Sequence, residues 1–194
     1  MSATTTVHHP QPVLADLLPG TRLRDASLVL GCTAFMIVAA QLAVPLWFTP
    51  VPLSLATFAV ILSGAALGPA RAGLGVGLYL ALGVVGFPVF ADRGSGWAFA
   101  SFGYVIGYVL AAIAVGALAR RRVDRSPWQT ALAAVAGSLI VYAAGLPWLM
   151  HHLGVDVAKG FDLGVWPFLA GDAIKAVAAA LLLPTAWKLV DRVR

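Results

Sequence analysis

Pro167-Phe168-Leu169-Ala170-Gly171-Asp172-Ala173-Ile174-Lys175-Ala176-Val177-Ala178 sets two opposite charges inside a segment otherwise suited to lipid. Apart from those charges, everything from Val165 to Val190 is apolar or small, save Thr185 and a terminal Lys188. Such a run exceeds the about 20 residues that carry a helix across a bilayer core. Asp172 and Lys175 are three apart, so on a helix they share a face, one turn from each other. A charge at the centre of a spanning helix costs about 2.5–3.5 kcal/mol on insertion scales. Mutual pairing recovers part of that cost, and a ligand with matching groups recovers more. Two readings stand: an ion pair that locks this helix to its neighbours, or a functional site. Intramembrane ionisable residues favour the second.

Working outward, the chain reads as an integral membrane protein. Of 194 residues, 60% are hydrophobic and 11% charged, far from soluble norms. All eight acids are Asp. Five further apolar runs precede the opening stretch: Ala26 to Phe48, Leu53 to Gly68, Ala72 to Phe90, Trp97 to Ala119 and Trp128 to Met150. The expectation is an all-α six-transmembrane-helix bundle over residues 26–190, with tails 1–25 and 191–194. Charge tests the count. Arg22, Arg24, Arg71, Arg120, Arg121, Arg122, Arg125, Lys188, Arg192 and Arg194 fall on the side of the termini, against Arg93 and Lys159 on the other. The positive-inside rule then puts both termini in the cytoplasm of a multi-pass protein of the cell membrane. The same clustering into short loops argues against a nucleic-acid partner, despite a net charge of +5. Residues 1–20 lack a hydrophobic signal core, so the first apolar run is expected to direct insertion.

Catalytic chemistry finds no support. No P-loop and no HExxH occur, and nothing places a nucleophile beside a base. Gly73-Leu74-Gly75-Val76-Gly77 lies in an apolar run and lacks the third glycine of a dinucleotide fingerprint. His8-His9 reads as part of a solvated tail and His151-His152 as a solvated helix end, so no metal and no cofactor is expected. Cys32 is single, which excludes an internal disulfide. Small residues four apart, Ser27/Gly31, Gly73/Gly77 and Gly103/Gly107, suit close helix packing; Ser27/Gly31 on the first helix also suits a partner membrane protein.

The sequence does offer a pocket. On the outer side three polar elements converge: the Asp92-Arg93 link, Ser101 with Tyr104, and Asp172 with Lys175. Aromatic residues surround them, Phe90, Trp148 and Phe168 among them. An apolar cavity with few oriented polar groups is the usual form of a small-molecule site.

Pro50-Val51-Pro52-Leu53, Leu67-Gly68-Pro69, Gly86-Phe87-Pro88-Val89-Phe90-Ala91, Gly103-Tyr104, Gly145-Leu146-Pro147-Trp148-Leu149 and Pro167 to Lys175 together resemble the BioY family. These are the biotin-binding S components of energy-coupling factor (ECF) transporters, and the resemblance runs from about Ala26 to Leu183. It implies a six-helix S-component fold that binds biotin from outside and associates with a transmembrane coupling protein and two ABC-type ATPases. Departures occur at Ala56, usually Gln in the family, and at Ala100 and Ala170, usually Pro; Ala56 is therefore not counted as a ligand contact. On this reading Asp172 accepts from the ureido N–H groups and Lys175 donates to the ureido carbonyl. Arg93, or else Lys159, meets the carboxylate. The substrate-binding set is Asp172, Lys175, Tyr104, Ser101, Asp92, Arg93, Phe90, Trp148 and Phe168. Alternatives stay open: a self-sufficient carrier or facilitator, monomeric or oligomeric, an S component for another vitamin, or a small membrane enzyme or assembly protein whose charged pair is only structural.

Overall fold

A computed structural model describes residues 12–20 and 22–193. His8, His9 and Arg194 lie outside the described residues, as do residues 1–11 and 21 of the expected N-terminal tail. Among the described residues the helices are α1 (Arg22–Gln41), α2 (Ala56–Leu67), α3 (Pro69–Val84), α4 (Phe102–Ala119), α5 (Pro127–Leu153), α6 (Val157–Gly164) and α7 (Leu169–Val193). Four stretches are long and apolar enough to cross a membrane: α1, α4, α5 and the nearly continuous Val157–Arg192. Helices α2 and α3, at 12 and 16 residues, fall short of the usual span.

Two expectations need correction. The fold is all-helical apart from one short hairpin, and the first apolar run does not continue as helix to Phe48. Helix α1 stops at Gln41, and an antiparallel hairpin follows, β1 (Ala43–Leu46) and β2 (Thr49–Ser54). Pro45, Pro50 and Pro52 explain it. Proline lacks the N–H that a helix interior requires, whereas a short hairpin tolerates it at edges and bulges. Pairing runs Ala43 to Ser54 and Leu46 to Thr49, with an irregularity between Val44 and Leu46, at Pro45. The second correction concerns the polar link from His151 to Gly164. His151 to Leu153 extend α5, and Val157 to Gly164 fold as α6, capped by Asp156, whose Oδ1 accepts from the Lys159 backbone N–H at 2.8 Å.

Helix α4 is the central element, lying against α2, α3 and α5. Glycine lets neighbours come that close. A Cβ on Gly116 would lie 2.5 Å from the backbone nitrogen of Pro69, and one on Gly107 would lie 2.8 Å from the Cα of Val141. Of the other small-residue pairs, Gly73 presses on Ile113, while Gly31 and Gly77 have no atom within 4 Å of an added Cβ. Part of the N-terminal tail belongs to the packed body: Val13 is fully buried, and Asp16 bridges Arg71 and Arg120 at 2.7 and 2.8 Å.

Candidate functional site: a charged pair at the end of an apolar cavity

The start of α7 follows a short 3-10 turn, Trp166–Phe168, which buries Phe168 and aims the next turns of helix inward. Asp172 and Lys175 consequently share one face, with Lys175 Nζ 3.2 Å from Asp172 Oδ1. Lys175 is only 9% exposed, so neither charge rests on water alone. Two other helices tie the pair down. The Tyr142 hydroxyl on α5 donates to Asp172 Oδ2, and Lys175 Nζ donates to Thr57 Oγ1 on α2 at 2.7 Å. Each charge thus carries a hydroxyl partner besides its counter-ion, as burial of an ion pair demands.

The pair borders a small cavity whose wall includes Ser54, Tyr104, Tyr108, Ser138 and Phe168. A second cavity of about 250 Å³ adjoins it, lined by Tyr79, Phe90, Asp92, Phe99 and Ser101. The two share Val51, Pro52, Ser54, Tyr104 and Tyr108, so the hairpin strand β2 and the start of α4 form a common wall. Two hydrogen bonds hold that wall against α6: Thr49 Oγ1 donates to the Leu163 carbonyl at 2.6 Å, and the Tyr104 hydroxyl to the Gly164 carbonyl at 2.9 Å.

Seven of the nine expected residues line these cavities. Asp172, Lys175 and Phe168 belong to the first, Phe90, Asp92 and Ser101 to the second, and Tyr104 to both. Trp148 and Arg93 line neither. Trp148 stands behind the wall, where its indole N–H donates to the Phe99 carbonyl at 2.9 Å and its ring meets Phe102 edge-on. Arg93 is exposed beside Asp92, both with positive φ in the tight link between α3 and α4. Lys159 is also exposed, on α6. Sequence reasoning did not find Tyr142, Thr57, Tyr108, Ser138 and Ser54. A signal existed for three of them: Ser138/Tyr142 and Tyr104/Tyr108 are four-apart polar pairs on otherwise apolar helices, hence one-face stripes. Ala56 is buried in the wall of the larger cavity, where it offers a methyl group and no hydrogen bond.

The sequence model of the BioY family matches residues 9–192, nearly the whole chain. The chain belongs to the BioY family. Its relatives include the probable biotin transporter BioY of Pyrococcus horikoshii, 36% identical over 83% of this chain and 94% of that one. The biotin transporter BioY of Thermotoga maritima is 37% identical over 77% and 88%, respectively. The BioY of Rhizobium etli is also 37% identical, over 77% of this chain and 86% of its own. Among solved structures, the S-component for biotin from an ECF-type ABC transporter superposes with a TM-score of 0.77 at 24% identity, covering 86% of this chain and 92% of that one. A likeness of that quality shows that the BioY chain described here has the S-component fold.

Proposed function

We propose that this chain is the biotin-binding transmembrane subunit of an uptake system, working with an ECF coupling protein and a pair of ATPases in the cell membrane. The observation that carries the reading is the Asp172–Lys175 pair, buried at one end of a largely apolar cavity and held by Tyr142 and Thr57. Biotin's ureido group offers two N–H donors and one carbonyl acceptor. The carboxylate accepts the former and the ammonium donates to the latter, each as a charge-assisted bond in a dry site. The apolar thiolane and valeryl chain extend along Phe168, Tyr104 and Phe90 towards the larger cavity. Asp92 and Ser101 bound the far end, with Arg93 beside them for the ligand carboxylate. Trp148 acts as a brace for the wall. Binding of this kind discriminates against analogues that lack the ureido group, because they forgo the charge-assisted bonds to Asp172 and Lys175. The chain contributes binding and passage and no catalysis.

The membrane topology proposed with this role has six spans and cytoplasmic termini, residues 26–190 forming the transmembrane unit and 1–25 and 191–194 the tails. Its support is the ten-to-two distribution of Lys and Arg. Ser27 and Gly31 line an apolar groove of about 280 Å³ between α1 and α2, a surface suited to the coupling protein.

Equilibrium biotin binding to the purified chain in detergent, with Asp172→Asn alongside, tests the reading. Tight binding by the wild type and at least a hundredfold loss in the variant is expected. Equal binding by both proteins, or none by either, refutes the assignment.

A further inference from the structure

The larger cavity sets few demands on the tail of a ligand whose head the charged pair holds. Its volume is about 250 Å³, and among the residues that line it there is no lysine and no arginine. Nothing inside it therefore requires that tail to be an anion. The acid that does line it, Asp92, occupies an exposed position in the link between α3 and α4. Arg93 follows, exposed as well, and lies outside the wall. The two are adjacent and opposite in charge, yet they make no ion pair with each other or with any other described residue. Both backbones are held at positive φ, 54° and 56°. Consecutive residues other than glycine held this way are uncommon, and such backbone gathers at binding sites.

Tyr79 sets what the interior can receive. It is 1% exposed, its side chain lines the larger cavity, and its hydroxyl has no hydrogen-bond partner among the described residues. A buried hydroxyl left without a partner costs free energy, so an oxygen of the ligand is favoured beside it. A carboxylate supplies that oxygen, and so does the carbonyl of an amide. Ala56 adds only a methyl group to the same wall, with neither charge nor bulk. A ligand acid converted to an amide thus keeps its bond to the hydroxyl and forfeits no counter-charge within the cavity. Whatever the amide carries outward meets Asp92 and Arg93 together, a carboxylate and a guanidinium whose charges sum to zero. A zwitterion matches both, whereas an anion leaves Asp92 without a counter-charge and an uncharged chain serves neither. An amino acid keeps its α-ammonium and its α-carboxylate only when it is joined through its side chain, and lysine has the amine for that. We infer that the site also accepts biotin joined in amide linkage to the side-chain amine of free lysine, with the α-ammonium on Asp92 and the α-carboxylate on Arg93. The inference rests on the biotin reading and widens its substrate class from the vitamin to an amino-acid conjugate.

Calorimetric titration of the purified full chain in detergent with biotin, ε-N-biotinyl-lysine and biotin N-pentylamide tests it. The pentylamide keeps the amide and the carbon chain and lacks both α groups. The lysine conjugate is expected to bind within tenfold of biotin and at least tenfold more tightly than the pentylamide. Asp92→Asn and Arg93→Gln, both at exposed positions, should each cut the margin over the pentylamide to threefold or less. A margin that survives either substitution overturns the inference, since the α groups would then sit elsewhere. A lysine conjugate bound more than tenfold weaker than biotin, or no better than the pentylamide, also overturns it and leaves the biotin assignment standing. If biotin itself does not bind, the assignment of the ligand fails and the inference falls with it.

Discussion

Asp172 and Lys175 are held by hydroxyls from two different helices, so the state of the site depends on residues distant in the chain. Tyr142 donates to Asp172 across thirty positions, and Thr57 accepts from Lys175 across 118. A hydrogen bond to a charged group contributes about 1.5–3 kcal/mol. Tyr142→Phe keeps the ring and removes only the donor. Biotin affinity measured by calorimetry is expected to fall about tenfold or more in that variant, while the fold survives; unchanged affinity would show that the hydroxyl does not prepare the carboxylate. The charges at the start of α7 were legible from the sequence because they interrupt an apolar run. Tyr142 left only the weaker signal of its four-apart pairing with Ser138, and Thr57 left none, because a hydroxyl among apolar residues costs little.

At the scale of elements, glycine decides which helices touch. Gly107 and Gly31 look alike as members of four-apart pairs, yet Gly107 abuts the α5 backbone and Gly31 opens onto a groove. Gly107→Leu should lower stability by several kcal/mol, since overpacking alone costs about 1–3 kcal/mol and here the obstacle is backbone. Gly31→Ala should leave the melting temperature unchanged, or raise it slightly as helix propensity improves. Thermal unfolding in detergent reads both, and a costly Gly31→Ala would mean that the groove closes around that position. The hairpin shows the opposite limit. Prolines announced the end of α1, but a stretch as short as Ala43 to Ser54 carries no strand periodicity strong enough to distinguish a hairpin from an irregular turn. Only the pairing partner across the turn settles it.

For the whole molecule, the arginine-rich end unites the tail with the bundle through Asp16. Burial raises the carboxyl's pKa, but hydrogen bonds from Arg71 and from the Val13 backbone, with the charge of Arg120, outweigh it, and the net shift is downward. A depressed pKa means that Asp16 contributes stability above its unfolded value, about 3.9, and loses that contribution as pH falls through the folded value. The difference in melting temperature between wild type and Asp16→Asn should therefore be constant from about pH 5 to 8 and shrink below about pH 4. A difference independent of pH would show that Asp16 acts by packing alone. Orientation has its own test, in a Cys32→Ala background. Asp156→Cys should react with a membrane-impermeant maleimide applied outside intact cells, whereas Arg121→Cys should react only after permeabilisation; the reverse pattern would invert the topology. Membrane embedding, the apolar runs, the charge asymmetry and the anomalous Asp172–Lys175 pair were all determined by sequence, because transfer from water to lipid acts on each residue where it stands. The tertiary structure alone decided that β2 walls the cavity, that Tyr142 and Thr57 hold the charged pair, that Trp148 stands behind the wall, and that α2 and α3 are short. Those features depend on contacts between segments far apart in the chain, which no local pattern of hydropathy or charge encodes.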